Sequence, residues 1–328
     1  MDSLLHDFAF DPRYGRSLAE LLAITPPEAP DDFAAFWQQR YQRCMQHSVS
    51  PRIEESYRRE GFIVHDIYFR STDGYDIGGW LLEPRSEPVS QAIIVGHGYG
   101  GRDKPDDDFG ISHTAFYFPC FRGISRSRCS DLSALPRNHV IHDVEDRDRY
   151  VIGGCVDDLW LAVSLIEQLY PQVARCIGYM GISFGGGLGA LAAPWDQRIK
   201  RLHLNVPTFG HQPLRMQLPT VGSASSLQAY LHQHRHVADI LAYYDAATAA
   251  RHAEQPVHVA AALFDPAVAP PGQFAIYNAW KGEKSLFVLD AGHFEYPNRL
   301  TQEQALKQQL RMFFKPPADH AQGIPPLA

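Results

Sequence analysis

Ser183 sits in the run Gly181-Ile182-Ser183-Phe184-Gly185-Gly186, behind the apolar residues Ile177 to Met180 and ahead of a small-residue stretch through Leu188, Ala190, Leu191 and Ala192. A G-x-S-x-G sequence between a strand and a helix folds as a sharp turn that lifts the serine hydroxyl into the open. Glycines at 181 and 185 leave room where strand and helix cross. The start of the helix adds free N–H groups and a positive dipole end, which suit a developing oxyanion. The plain structural alternative is a glycine-rich turn with an incidental serine. The strand pattern before it and the helix pattern after it favour a nucleophile. A dinucleotide loop needs a different glycine spacing and usually falls at the first strand of its fold.

A serine hydroxyl becomes nucleophilic at neutral pH only with a base beside it. For this kind of turn the partners follow in the order Ser, Asp or Glu, His. Asp265 ends the run Val257 to Phe264, and His293 lies just past Leu286 to Leu289. Both positions follow strand patterns, at the carboxyl edge where sites of open α/β sheets gather. Asp290 is the main rival to Asp265, but it shares a loop with His293, and Asp245 falls in a helical stretch. The chain has 16 histidines, so a lone histidine means little. His203 and His258 lie inside strand patterns and read as packed; His232, His234 and His236 read as solvated.

The first oxyanion donor is expected at the amide after the nucleophile, that of Phe184. The second is expected in the glycine-rich loop His97-Gly98-Tyr99-Gly100-Gly101, where the Tyr99 amide is the choice. Tyr99, Phe184 and Phe294 are the expected substrate contacts, the two phenylalanines making the mouth of the site more apolar. Arg122 could anchor neighbouring loops by pairing with a carboxylate, or be an ordinary surface residue.

These residues need a scaffold that brings strand ends together. Ala92–Val95, Ala115–Phe118, Ile177–Met180, Leu202–Val206, Val257–Leu263 and Leu286–Leu289 are short runs apolar on both faces, as central parallel strands are. Helical patterns separate several of them, the clearest from Asp157 to Leu169. The result is an α/β sheet covered on both faces. Residues 61–82 read as an antiparallel lead-in, residues 1–60 as a helical N-terminal extension, and about 207–244 as a helical insertion before the strand bearing Asp265. The tail after Pro316 reads as a surface extension.

The 328 residues can form one large domain or two small ones, and the reading here is one domain. Charged residues are 20% and net charge is −7, with no basic run, against nucleic acid or an anionic membrane as partner. Five cysteines without CxxC spacing read as free thiols of a cytoplasmic protein, not a zinc site. No signal-peptide pattern opens the chain. The uncharged stretch Cys176 to Trp195 is long enough for a membrane span, but its glycines favour strand, turn and buried helix.

With these motifs in order, the chain resembles the acetyl xylan esterase and cephalosporin C deacetylase family (carbohydrate esterase family 7) of the α/β-hydrolase fold. The resemblance runs through Pro30-Asp31-Asp32-Phe33 with Phe36-Trp37, His97 to Gly101, Arg122-Gly123, Gly181 to Gly187, Tyr243-Tyr244-Asp245, Leu263 to Asp265 with Pro270-Pro271, and Gly292 to Glu295. It implies a triad of Ser183, Asp265 and His293, with oxyanion amides at Tyr99 and Phe184. It implies deacetylation of small acetylated sugars, xylooligosaccharides or cephalosporin C, with no metal or organic cofactor. It also implies a cytoplasmic hexamer with sites facing an inner chamber. Arg122-Gly123-Ile124-Ser125 stands where the family has Arg-Gly-Gln-Gly, Phe184 where Gln is frequent, and Phe294 separates His293 from Glu295. Hydrolases of other specificity, such as thioesterases or peptidases, are the alternative within the fold. A catalytically silent hydrolase fold used for binding or assembly is the alternative from another functional class.

Overall fold

The computed structural model describes residues 4–316. The expected surface tail after Pro316 lies outside the described residues, save for Pro316 itself. Nine strands form one sheet: β1 (Arg52–Arg59), β2 (Phe62–Arg70), β3 (Asp76–Pro84), β4 (Gln91–Gly96), β5 (Thr114–Pro119), β6 (Ile177–Ile182), β7 (Ile199–Asn205), β8 (Val257–Ala262) and β9 (Lys284–Leu289). Their order is β1-β2-β3-β5-β4-β6-β7-β8-β9. The pairs from β1 to β5 through β2 and β3 are antiparallel, and those from β5 across to β9 are parallel.

The continuous apolar runs follow from burial on both faces. Ala92 and Ile94 of β4 join one core; Ile93 and Val95 join the other. Strand β5 divides likewise, Ala115 and Tyr117 to one side, Phe116 and Phe118 to the other. The larger core is covered by α2 (Phe33–Cys44), which follows the short α1 (Leu18–Leu22), by α4 (Val151–Leu169), which follows α3 (Pro136–His139), and by α5 (Phe184–Ala192). Between β7 and β8 lie α6 (Gln212–Arg215), α7 (Ala224–Gln233), α8 (Val237–Tyr243) and α9 (Ala246–Ala250), and between β8 and β9 lies α10 (Pro270–Ala279). The last helix, α11 (Arg299–Phe313), covers the smaller core with Leu306 and Leu310. No described helix is long and apolar enough to cross a membrane; Cys176 to Trp195 is strand, turn and helix.

The expected helical extension over 1–60 needs correction at its end. Residues Arg52–Arg59 form edge strand β1, almost wholly exposed, paired to β2 through the backbone. With neither face buried, its side chains carry no apolar alternation. Helix α4 also starts at Val151, earlier than Asp157, because Gly153 and Gly154 dilute the helical pattern in its first turn.

Adjacent aspartates of α4 pin two other elements. Asp157 takes Arg40 of α2 at 2.7 Å and 2.9 Å, and Asp158 takes Arg122, after β5, at 2.8 Å. The anchoring reading of Arg122 therefore holds: the residue is buried, and its backbone N–H also donates to Asp158. Arg122→Met would strand a fully buried carboxylate, so we expect a loss of about 3–5 kcal/mol in urea unfolding. A loss below about 1 kcal/mol would show the pair to be dispensable.

Candidate active site

Strand β6 ends at Ile182 and α5 begins at Phe184, leaving Ser183 alone at the turn with φ 53° and ψ −108°. This is strained backbone for any residue with a side chain. Close packing holds it there. A Cβ on Gly181 would lie 2.5 Å from the Gly185 carbonyl, so only glycine lets the strand pass the helix. The Ser183 N–H donates to Asn205 O of β7 at 2.8 Å, and the Gly185 N–H donates to His97 O after β4 at 2.9 Å. The turn is thus tied to the strands on both sides.

Ser183 Oγ lies 2.9 Å from His293 Nε2, and His293 Nδ1 lies 2.8 Å from Asp265 Oδ2. His293 follows β9 with φ 48°. Gly292 before it is required by contact: a Cβ there would meet Asp265 Oδ2 at 2.5 Å. Asp265 is fully buried yet well supplied with donors. Its Oδ1 accepts from the Ala267 and Val268 amides, both at 2.9 Å, and its Oδ2 also accepts from Gln273 Nε2 at 3.0 Å. Such contacts supply the hydrogen-bond donors that a buried carboxylate requires. Gln273 of α10 is itself locked, accepting from the Ala262 N–H at 2.8 Å and donating to Val268 O at 2.7 Å. Burial pulls the His293 pKa down, but the charge of Asp265 and the hydrogen bond to it outweigh that and leave it raised above the ordinary value.

The rivals fall elsewhere. Asp290 is engaged away from His293: its backbone N–H donates to Gln302 Oε1 at 3.0 Å, and its Oδ2 accepts from Asn298 Nδ2 at 3.5 Å. Asp245 caps α9 through the Thr248 N–H. His203 and His258 are buried against each other, Nδ1 to Nδ1 at 3.1 Å. His234 lies 2.6 Å from Glu145 and is part-exposed.

Among the described residues, neither the Tyr99 nor the Phe184 amide has an acceptor within the fold, and both flank the serine turn. His97 fixes the Tyr99 loop. Its Nε2 accepts from the Phe121 N–H at 3.0 Å, so the proton sits on Nδ1 and goes to Gly98 O at 2.7 Å. Burial lowers its pKa to about 4, which keeps that neutral form across ordinary pH.

The expected substrate contacts divide. Phe184 is fully buried, its ring stacked on Tyr99 at 4.0 Å and edge-on to Phe121 and Phe209. The expectation that its side chain lines the mouth is therefore corrected: as the first residue of α5 it turns inward, leaving only its amide to the site. The Tyr99 ring is occupied by that stack, and its hydroxyl lies 3.3 Å from His139 Nδ1. Phe294 does line a cavity of about 540 Å³ together with His293, Tyr296, Leu289 and Leu306.

Gln273, His97 and His139 are the supporting residues that the sequence did not single out for these roles. No short motif marks Gln273, eight positions past Asp265 on a different element.

The family model for acetyl xylan esterase (AXE1) matches residues 17–312. The chain belongs to the acetyl xylan esterase family. Its members hydrolyse carboxylic esters, and this family member is a hydrolase of that class. Its fold is similar to that of acetyl xylan esterase from Paenibacillus sp. R4, with TM-score 0.79 and 22% identity over 90% of this chain and 99% of that one. It is similar also to acetyl xylan esterase 1 from Thermoanaerobacterium sp. JW/SL YS485, with TM-score 0.78 and 20% identity over 93% and 99%. A cold-adapted esterase from an Arctic intertidal metagenomic library follows at TM-score 0.54 and 17% identity over 81% and 99%. These likenesses show the α/β-hydrolase fold. No curated protein sequence is significantly similar to the chain.

Proposed function

We propose that this acetyl xylan esterase family member removes acetyl groups from small esters, acetylated carbohydrates or cephalosporin-like compounds, through a Ser183–His293–Asp265 acyl-enzyme mechanism. One observation carries the reading: an unbroken hydrogen-bond line from Ser183 Oγ through the His293 ring to Asp265.

His293 Nε2 takes the Ser183 proton as Oγ attacks the ester carbonyl carbon. The carbonyl oxygen gains negative charge, which the Tyr99 and Phe184 amides stabilise. His293 then gives its proton to the departing alcohol oxygen, leaving an acetyl group on Ser183. Water then attacks the acetyl carbon as His293 takes its proton; the bond from that carbon to Ser183 Oγ breaks, His293 returns the proton to Oγ, and the acetyl group leaves as acetic acid, which ionises to acetate. Asp265 holds the ring in the tautomer this needs and stabilises the imidazolium that forms.

A panel of acetyl, butyryl and longer nitrophenyl esters with acetylated xylooligosaccharides tests the substrate class. We expect acetyl esters to be turned over best. Preference for long acyl chains, for acyl thioesters or for aminoacyl amides would overturn it.

His293 must be neutral to accept the proton, so activity falls as pH drops through its pKa. With that pKa raised by Asp265, the acid limb of kcat/KM is expected above about pH 6.5. Asp265→Asn removes both raising influences and leaves burial, so the limb of the residual activity moves to lower pH. A limb that stays put in the variant would show that Asp265 does not act on His293.

A further inference from the structure

Residues 4–10 form no helix or strand, and their backbone makes no hydrogen bond among the described residues. Rings hold them instead. The His6 ring lies 5.3 Å from that of Phe264, and the Phe8 ring stands edge-on to Phe294 at 5.8 Å. His6 and Phe8 are 5.5 Å apart, and Phe264 and Phe294 are 5.0 Å apart, so the four rings close a circuit. Phe264 precedes Asp265 in the chain, and Phe294 follows His293. Each anchor of the N-terminal segment is thus the immediate neighbour of the acid or the base. Just beyond the segment the Pro12 carbonyl accepts from the Asp265 N–H at 3.1 Å, and the Tyr14 hydroxyl donates to Pro219 O at 2.8 Å.

The base needs such support. His293 has φ 48°, a conformation that costs free energy for a residue with a side chain and persists where the surroundings enforce it. Gly292 before it is tied down, its N–H donating to Phe264 O at 2.8 Å. From His293 to Glu295 the backbone makes no hydrogen bond among the described residues. The Glu295–Arg299 ion pair is exposed and adds little. Apart from the bonds of the triad itself, the ring of Phe294 is therefore what fixes the base from the downstream side. That ring rests on two others, Phe264, which is fully buried at the end of its strand, and Phe8, which is half-buried. An edge-on aromatic pair is worth enough to shift a two-state equilibrium by about threefold to tenfold.

We propose that Phe8 is a positioning residue for the reaction: its ring, seated on Phe294, holds His293 where Nε2 meets Ser183 Oγ. This role rests on the triad reading above. Without the Phe8 ring, Phe294 keeps one aromatic neighbour from the fold instead of two, and His293 spends less of its time in line between Ser183 and Asp265. Proton transfer suffers, and ground-state binding of the ester does not, so the effect falls on kcat and not on KM.

Phe8→Ala, Phe8→Leu and Phe8→Tyr are made in the full chain. For each, kcat and KM for phenyl acetate are measured per site titrated with a fluorophosphonate, beside a thermal melt. Phe8→Ala is expected to lower kcat about tenfold with KM within about twofold of wild type. Phe8→Tyr, which keeps the ring, is expected to stay within about twofold in kcat, and Phe8→Leu to fall between. A second readout needs no substrate: the His293 Nδ1–H proton, bonded to Asp265, is followed by proton NMR at low field, and its exchange with water is expected to be about tenfold faster in Phe8→Ala. A packing role alone would lower the melting temperature and leave kcat per site and this exchange unmoved. That result overturns the proposal, as does a kcat loss that Phe8→Tyr shares. If Phe8→Ala does not fold, the contrast between Phe8→Leu and Phe8→Tyr in the same two readouts decides the matter. Phenyl acetate turnover retained in Ser183→Ala would fail the triad reading separately, and the exchange rate would still report whether Phe8 holds His293.

Discussion

Ser183→Ala is expected to lower kcat/KM for an acetyl ester by about ten-thousandfold to a millionfold, with stability within about 1 kcal/mol of wild type. The size of the loss follows from what the hydroxyl does. It alone forms the covalent acyl intermediate, and binding and oxyanion donors left behind recover only a small part of the rate. The mildness towards folding follows from its surroundings. Ser183 is only part-buried, and its Oγ is bonded to His293 and to no other described group. Alanine fits the same backbone, with the same positive φ, as the serine it replaces. Steady-state kinetics beside a urea melt check both halves. Turnover retained within about tenfold would remove Ser183 from the chemistry.

Asp265→Asn is expected to cost about ten-thousandfold in kcat while leaving the chain folded. Asp265 only accepts in this structure: from Ala267, Val268, Gln273 and His293. An asparagine oxygen can serve the two backbone amides. Its NH2 then faces His293 Nδ1, which turns acceptor and moves the ring proton to Nε2, facing Ser183. The serine loses its base, though the geometry is unchanged. The NH2 also meets the Gln273 side-chain amide, donor to donor, so a stability loss of about 1–3 kcal/mol accompanies the kinetic effect. Rates within about tenfold of wild type would show that the carboxylate charge and the tautomer it sets are not needed.

What could be read from sequence was chemistry that sits at strand ends. The serine turn, Asp265 after β8 and His293 after β9 carry local signals: an apolar run of strand length, then a turn, then a reactive side chain. The central strands were legible because both faces are buried. Strand β1 was not, because its side chains face solvent and only its backbone is engaged. The inward turn of Phe184 was not legible either, because its partners Tyr99, Phe121 and Phe209 come from three distant loops. Gln273 and the Pro12 carbonyl, which accepts from the Asp265 N–H at 3.1 Å, support the acid from far along the chain. Pairings of that kind leave no mark in local spacing.

The most direct measurement of the central claim is labelling of the whole chain by a fluorophosphonate, with the modified peptide identified by mass spectrometry. A single adduct is expected at Ser183, absent in Ser183→Ala and formed at least about a thousandfold more slowly in His293→Ala. An adduct at another residue, labelling undiminished by either substitution, or a wild type that does not react, would contradict it.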